Sequence, residues 1–130
     1  MVLNNWQTLH PSPDGRYALL TTSEEVRMSH WLEIAQLVDV AADRVVLDIG
    51  SRSWSADSFS WSPDSAVVEL GMRRYPGNHD GLRVRVFPDR SRAELHSTEG
   101  VVELAFADLV AAMEAHYERN KWEPGSRRAG

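Results

Sequence analysis

Two stretches of this chain repeat one order of polar and apolar positions. Ser12-Pro13-Asp14-Gly15-Arg16 runs into Tyr17-Ala18-Leu19-Leu20, and fifty residues further on Ser62-Pro63-Asp64-Ser65-Ala66 runs into Val67-Val68-Glu69-Leu70. Ser-Pro-Asp-Gly is turn chemistry: proline presets φ at the first corner, aspartate bonds the backbone two residues on, and glycine tolerates positive φ. Each copy predicts a corner followed by a strand. Aligned on the shared Ser-Pro-Asp, Ala18 and Leu20 match Val68 and Leu70, alternate positions that bury one face in both copies.

The remaining alternation fills out four strands per copy. Residues 5–9, with Trp6, predict an edge strand and residues 17–22 an interior one. Residues 30–40 fit helical spacing as well as alternation of Leu32, Ile34, Val38 and Val40. Their counterpart is less ambiguous, with Leu82, Val84 and Val86 inward and Arg83 and Arg85 outward, and the repeat therefore favours a strand. Each copy then meets a turn ending in Asp-Arg, Asp43-Arg44 or Asp89-Arg90 at an offset of 46, and a last strand over 45–49 or 93–96. Residues 51–57 read as a linker that carries Trp54, residues 58–61 as the first strand of the second copy, and residues 73–81 as a hairpin loop with the turn signals Pro76-Gly77 and Asp80-Gly81. Trp31 and Trp61 fall on strands and are expected in the core. A ninth strand follows Gly100. The period then changes, and Leu109, Met113 and His116 or Tyr117 predict a helix with Asp108 at its N-cap, Val110, Met113 and Tyr117 toward the sheet, and Pro124-Gly125 as its stop.

The expected fold class is mainly β: two four-stranded antiparallel meanders plus the ninth strand, packed as a sandwich or open sheet, with one C-terminal amphipathic helix. A chain of 130 residues is expected to form one domain, with repeats over about 5–50 and 56–97, a strand and helix over 100–121, and a tail over 122–130. There are no cysteines, so disulfides and thiolate metal sites are excluded, as suits a reducing cytoplasm. The first residues lack a signal-peptide pattern and no apolar run is long enough to span a bilayer, so neither secretion nor a membrane span is expected. The net charge of -5 is uneven: residues 1–60 hold four arginines against eight acids, and residues 61–130 hold ten basic against eleven acidic side chains. An acidic first half disfavours nucleic acid and suits a basic partner.

Strands that end in Ser12-Pro13-Asp14-Gly15 and Trp61-Ser62-Pro63-Asp64, four to a copy, resemble the blades of β-propellers of the WD-repeat, Tol-system and prolyl-oligopeptidase kinds. The resemblance covers residues 5–97 and implies a scaffold that hosts many functions. Two blades fall short of a ring of about 4–8, which leaves outer faces and strand edges to be covered by the helix, a second copy or another protein.

Candidate chemistry is sparse. The histidines His10, His30, His79, His96 and His116 show no zinc spacing, and the chain has no Gly-x-Ser-x-Gly elbow, P-loop or dinucleotide fingerprint. No catalytic residue, cofactor or metal is assigned. Arg83, Arg85, Arg90 and Arg92 are interleaved with Asp89 and Glu94 and read as a solvated face. The candidate partner-binding residues are the acidic Glu24, Glu25 and Asp57, the aromatics Trp54 and Tyr75, and Arg74, His79 and Asp80 in the hairpin loop. The expected function is non-enzymatic binding of a protein, in character like a small bacterial immunity protein or antitoxin that occludes a toxin domain. The alternatives are a homo-oligomeric module of blade type and a hydrolase with a carboxylate site that no motif marks.

Overall fold

The computed structural model describes residues 2–26, 30–49, 53–75 and 79–121. Strands β1 (Gln7–Pro11), β2 (Tyr17–Val26), β3 (His30–Asp39) and β4 (Arg44–Asp48) form one antiparallel sheet in chain order. Strands β5 (Trp54–Trp61), β6 (Val68–Arg74), β7 (His79–Phe87), β8 (Arg92–Ser97) and β9 (Gly100–Ala105) form the other, also in chain order. A single 3-10 turn, Phe106–Asp108, leads into helix α1 (Leu109–Asn120). Residues 30–39, ambiguous by spacing, are strand along their whole length and pair with β2 from Val26↔His30 to Tyr17↔Asp39. Among the described residues no helix is long and apolar enough to cross a membrane.

The two Ser-Pro-Asp corners are the same structure built twice. Ser12 Oγ donates to Asp14 Oδ1 at 2.7 Å and Ser62 Oγ to Asp64 Oδ1 at 2.6 Å. Each aspartate then accepts the amide two residues on, from Arg16 or Ala66, at 3.0 Å. The fourth corner residue is left-handed in both, Gly15 at φ 75° and Ser65 at φ 64°. The corners also touch, because the Asp14 amide donates to Ser65 Oγ at 2.9 Å and the Trp61 indole N–H to the His10 carbonyl at 2.9 Å. The second turns correspond as well, although at an offset of 48 rather than 46. Asp43 and Ser91 hold the left-handed positions at φ 54° and 51°, and β4 and β8 begin one residue later at Arg44 and Arg92.

One apolar cluster unites the elements. Leu19, Ala35, Leu37, Leu47 and Ile49 of the first sheet and its end meet Val68, Leu70, Met72, Leu82, Val84 and Val86 of the second, closed by Leu109 and Met113 of α1. On the opposite face of the first sheet Ala18, Leu20, Leu32 and Val38 are also buried. Removal of this apolar surface from water is the main driving force for the assembly. The helix stripe is Leu109, Met113 and His116, with Tyr117 packed beside it and Val110 half-buried. Asp108 stands at the N-cap position, as expected, but it is also the last residue of the 3-10 entry: its φ and ψ are -101° and -5°, and its side chain makes no capping bond.

Two tryptophans exchange the environments expected of them. Trp54 is the first residue of β5 rather than part of a linker, and it is 1% exposed in the core. Trp31, expected inside, is 44% exposed. Trp61 is half-buried against the core as its strand position suggests. Linker residues 51–52, the Pro76-Gly77 corner, the Pro124-Gly125 stop and the 122–130 tail lie outside the described residues.

Candidate functional site

Strands β2 and β3 are ten residues each, whereas their neighbours β1 and β4 are five. The last β1 pair is Gln7↔Thr22 and the last β4 pair is Gln36↔Asp48, so the β2–β3 hairpin runs on past both neighbours as a two-stranded ribbon. Along the overhang the register sets Glu25 opposite Trp31 and Val26 opposite His30. Trp6, held just before β1 by its amide bond to Asn4 Oδ1 and by the Ser23 amide on its carbonyl, lays its indole on that of Trp31. The ring centroids are 5.5 Å apart with planes 28° from parallel, the offset stacking that aromatic quadrupoles favour. Trp6 remains 57% exposed.

The second sheet brings its own hairpin to the same end. Tyr75 follows β6 directly, fixed by its amide to the Ser53 carbonyl at 2.6 Å, and its ring meets that of His30 at 5.8 Å. The ends of both hairpins thus carry Trp6, Trp31, His30 and Tyr75, with Glu24 and Glu25 closing β2. Among the described residues Glu25 makes no hydrogen bond or ion pair, and neither Trp6 nor Trp31 has a partner for its indole N–H. His79 and Asp80 open β7, opposite the end of β6, and their side chains lie outside what is described.

Three of the sequence candidates instead bond within the chain, Trp54 buried, Arg74 half-buried and Asp57 exposed. Arg74 grips Glu114 of α1 with Nε and Nη2, both at 3.2 Å, while its guanidinium carbon lies 4.3 Å from the Tyr117 ring centre. The Trp54 indole N–H donates to the same carboxylate at 2.6 Å. These contacts tie the helix to the second sheet, and they occupy the Trp54 indole N–H and the Arg74 guanidinium within the fold. Asp57 sits at the β5 bulge, where it accepts from Ser55 Oγ at 2.8 Å and from Arg73 Nε at 2.7 Å.

The other polar groups are placed for packing. His10 lies against the Phe59 ring at 4.3 Å with Nε2 3.0 Å from Thr21 Oγ1, and burial lowers its pKa below 6.5 against the opposing pull of Glu33. Among the described residues no three His, Asp or Glu side chains gather as metal ligands. A groove of about 470 Å³ runs between β4 and the start of α1, lined by Val46, Leu47, Asp48, Phe106, Ala107 and Val110. A smaller dent of about 230 Å³ crosses the outer face of the second sheet at Ser58, Gly71 and Gly81. Neither gathers a nucleophile with a base among the residues that line it.

Of the eight sequence candidates, Glu24, Glu25 and Tyr75 lie at the hairpin ends, Glu25 on the face of the ribbon that carries Trp31 and Tyr75 against His30, whose place in the strand is on the other face. Trp6, Trp31 and His30 were missed. From the sequence the second strand ends at residue 22, whereas it runs to Val26, so the overhang that carries this surface is absent from that reading. Comparison with protein-family models, curated proteins and solved structures finds no match to the chain.

Proposed function

We propose that the chain is a non-enzymatic protein-binding domain that works in the cytoplasm and contacts its partner with the hairpin end. The observation that carries this reading is the solvent-facing Trp6–Trp31 stack beside Glu25, which has no partner among the described residues. Large rigid aromatics supply contact area at little cost in conformational entropy, and they are enriched among the residues that dominate interface energies. Two blade-type meanders, cross-linked by their corners and by α1, make a stiff mount for such a surface. The specific version we favour is a bacterial immunity protein or antitoxin that occludes a toxin domain. A small acidic domain with no nucleophile and base assembled among its described residues suits blocking a basic active site better than performing a reaction.

The test is coexpression with the product of the adjacent gene. The expected result is relief of that product's toxicity and a complex that survives gel filtration, with the double variant Trp6→Ala/Trp31→Ala abolishing both while its circular dichroism stays that of the parent. Absence of a complex together with unrelieved toxicity rules out the immunity version. A complex indifferent to both tryptophans rules out the hairpin end as the contact.

A further inference from the structure

Arginine in this chain repeatedly sits on an aromatic ring with a carboxylate beside it. Arg74 covers Tyr117 and pairs with Glu114; Arg16 lies 5.2 Å from the Tyr17 ring centre and pairs with Asp89 at 2.9 Å; Arg85 lies 5.6 Å from that of Phe87 and pairs with Glu94 at 3.6 Å. The recurrence has a physical cause. A guanidinium is planar and weakly hydrated, so it stacks on a π face while its edge N–H groups bind a carboxylate.

The hairpin end supplies two of these three parts. Trp31 and Glu25 are directly opposed across β2 and β3, a spacing of about 5 Å between Cβ atoms, and Trp6 widens the aromatic face. Among the described residues no cation lies over either indole, and Glu25 has no partner. We infer that the third part comes from the partner: an arginine side chain that stacks on the Trp6–Trp31 face and pairs with Glu25. The inference rests on the reading of the hairpin end as a contact surface and names the chemistry that surface takes. The acidic balance of residues 1–60 adds long-range attraction for such a side chain. Lysine is the poorer fit, since its compact ammonium is strongly hydrated and cannot stack in a plane.

The experiment is a titration of the full chain with the peptide acetyl-Gly-Arg-Gly-amide, read from the indole N–H resonances of Trp6 and Trp31. Parallel titrations use the lysine peptide and the citrulline peptide, which keeps the shape of arginine without its charge. The arginine peptide is expected to shift both resonances saturably, the lysine peptide more weakly and the citrulline peptide not at all. Glu25→Gln is expected to weaken the arginine peptide by about 3–5-fold, the scale of an exposed ion pair, while Glu103→Gln leaves it unchanged. Trp31→Ala is expected to abolish the response at Trp6. Equal binding of the citrulline peptide, or indifference to Glu25→Gln, overturns the arginine inference while the contact surface itself stands. The contact surface falls separately, if the coexpressed partner ignores both tryptophans.

Discussion

Ser65 sets two effects of similar size against each other, and its variants separate them. The residue holds φ 64°, where its counterpart in the first copy is Gly15 at φ 75°. A left-handed conformation costs a residue with a Cβ about 1 kcal/mol relative to glycine. In return the Ser65 hydroxyl accepts the Asp14 amide at 2.9 Å, a bond between the two sheets worth about 1 kcal/mol net. Ser65→Ala keeps the backbone cost and forfeits the bond, so it should lose about 1 kcal/mol, whereas Ser65→Gly loses the bond but sheds the strain and should stay within about 0.5 kcal/mol of the parent. For a chain of 130 residues each kcal/mol moves the midpoint by about 4 °C, so thermal unfolding followed by circular dichroism resolves the pair. The expected order of midpoints is parent and Ser65→Gly together, with Ser65→Ala about 4 °C lower. A Ser65→Gly midpoint raised by about 4 °C, with Ser65→Ala unchanged, would refute the reasoning, because the hydroxyl would then contribute nothing and the corners would not be joined.

The core and the charges give three more tests. Met113 is fully buried where both sheets meet the helix, so Met113→Ala should cost about 2–5 kcal/mol in urea unfolding, against less than about 0.5 kcal/mol for the exposed Val101→Ala; equal effects would sink the shared core. Glu114→Ala removes the partner of both Arg74 and the Trp54 indole and should cost about 2 kcal/mol with loss of helical dichroism; a purely local change would mean that α1 does not depend on this anchor. The Arg119 and Asn120 side chains hold the Glu99 carboxyl down from 4.5 to about 2. The unfolded chain therefore takes up the proton first, and this stabilisation is complete above pH 4.5 and lost as pH falls toward 2. Glu99→Gln should accordingly flatten the acid limb of the stability curve over that window, and an unaltered limb would contradict the assignment. Asp14 and Asp64, lowered by the backbone amides and serine hydroxyls of their corners, act with the same sign below pH 3.8.

The fold was legible wherever local chemistry decides the outcome. The corner residues specify their own hydrogen bonds, so Ser12-Pro13-Asp14 and Ser62-Pro63-Asp64 could be matched without a structure, and the match settled residues 30–39 as strand. Arg83 and Arg85 read correctly as outward, because alternation on a half-buried strand is a local signal. What stayed illegible depends on contacts distant in sequence. Whether Trp31 or Trp54 is covered depends on how far the other sheet and the helix reach along each strand, and neither strand's own pattern records that. The charged anchor of α1 joins Trp54, Arg74 and Glu114, positions up to sixty residues apart whose pairing no spacing announces. The offset between the second turns was misjudged because Asp-Arg recurs in both, whereas the shared feature is the left-handed residue, Asp43 in one and Ser91 in the other.

The divergence of the two copies also bears on the proposed contact surface. The pair Leu19↔Leu37 in the first sheet corresponds to Glu69↔Arg85 in the second, and Thr21↔Ala35 to Gly71↔Arg83. In the first copy this face is buried in the shared core. In the second it carries Glu69, Arg83, Arg85 and Glu94, linked by ion pairs of 3.2–3.7 Å, and His96, hydrogen-bonded to Glu94 at 2.9 Å. A third sheet stacked there would have to take these groups out of water, at several kcal/mol for each ion before any pairing is credited. The duplicated unit therefore carries its own stop, and the open face expected to need a cover is closed by charge instead. Association directed at the proposed contact surface meets a smaller barrier: its aromatic rings are already in contact, and a stacking cation can replace the water on Glu25 in the same step.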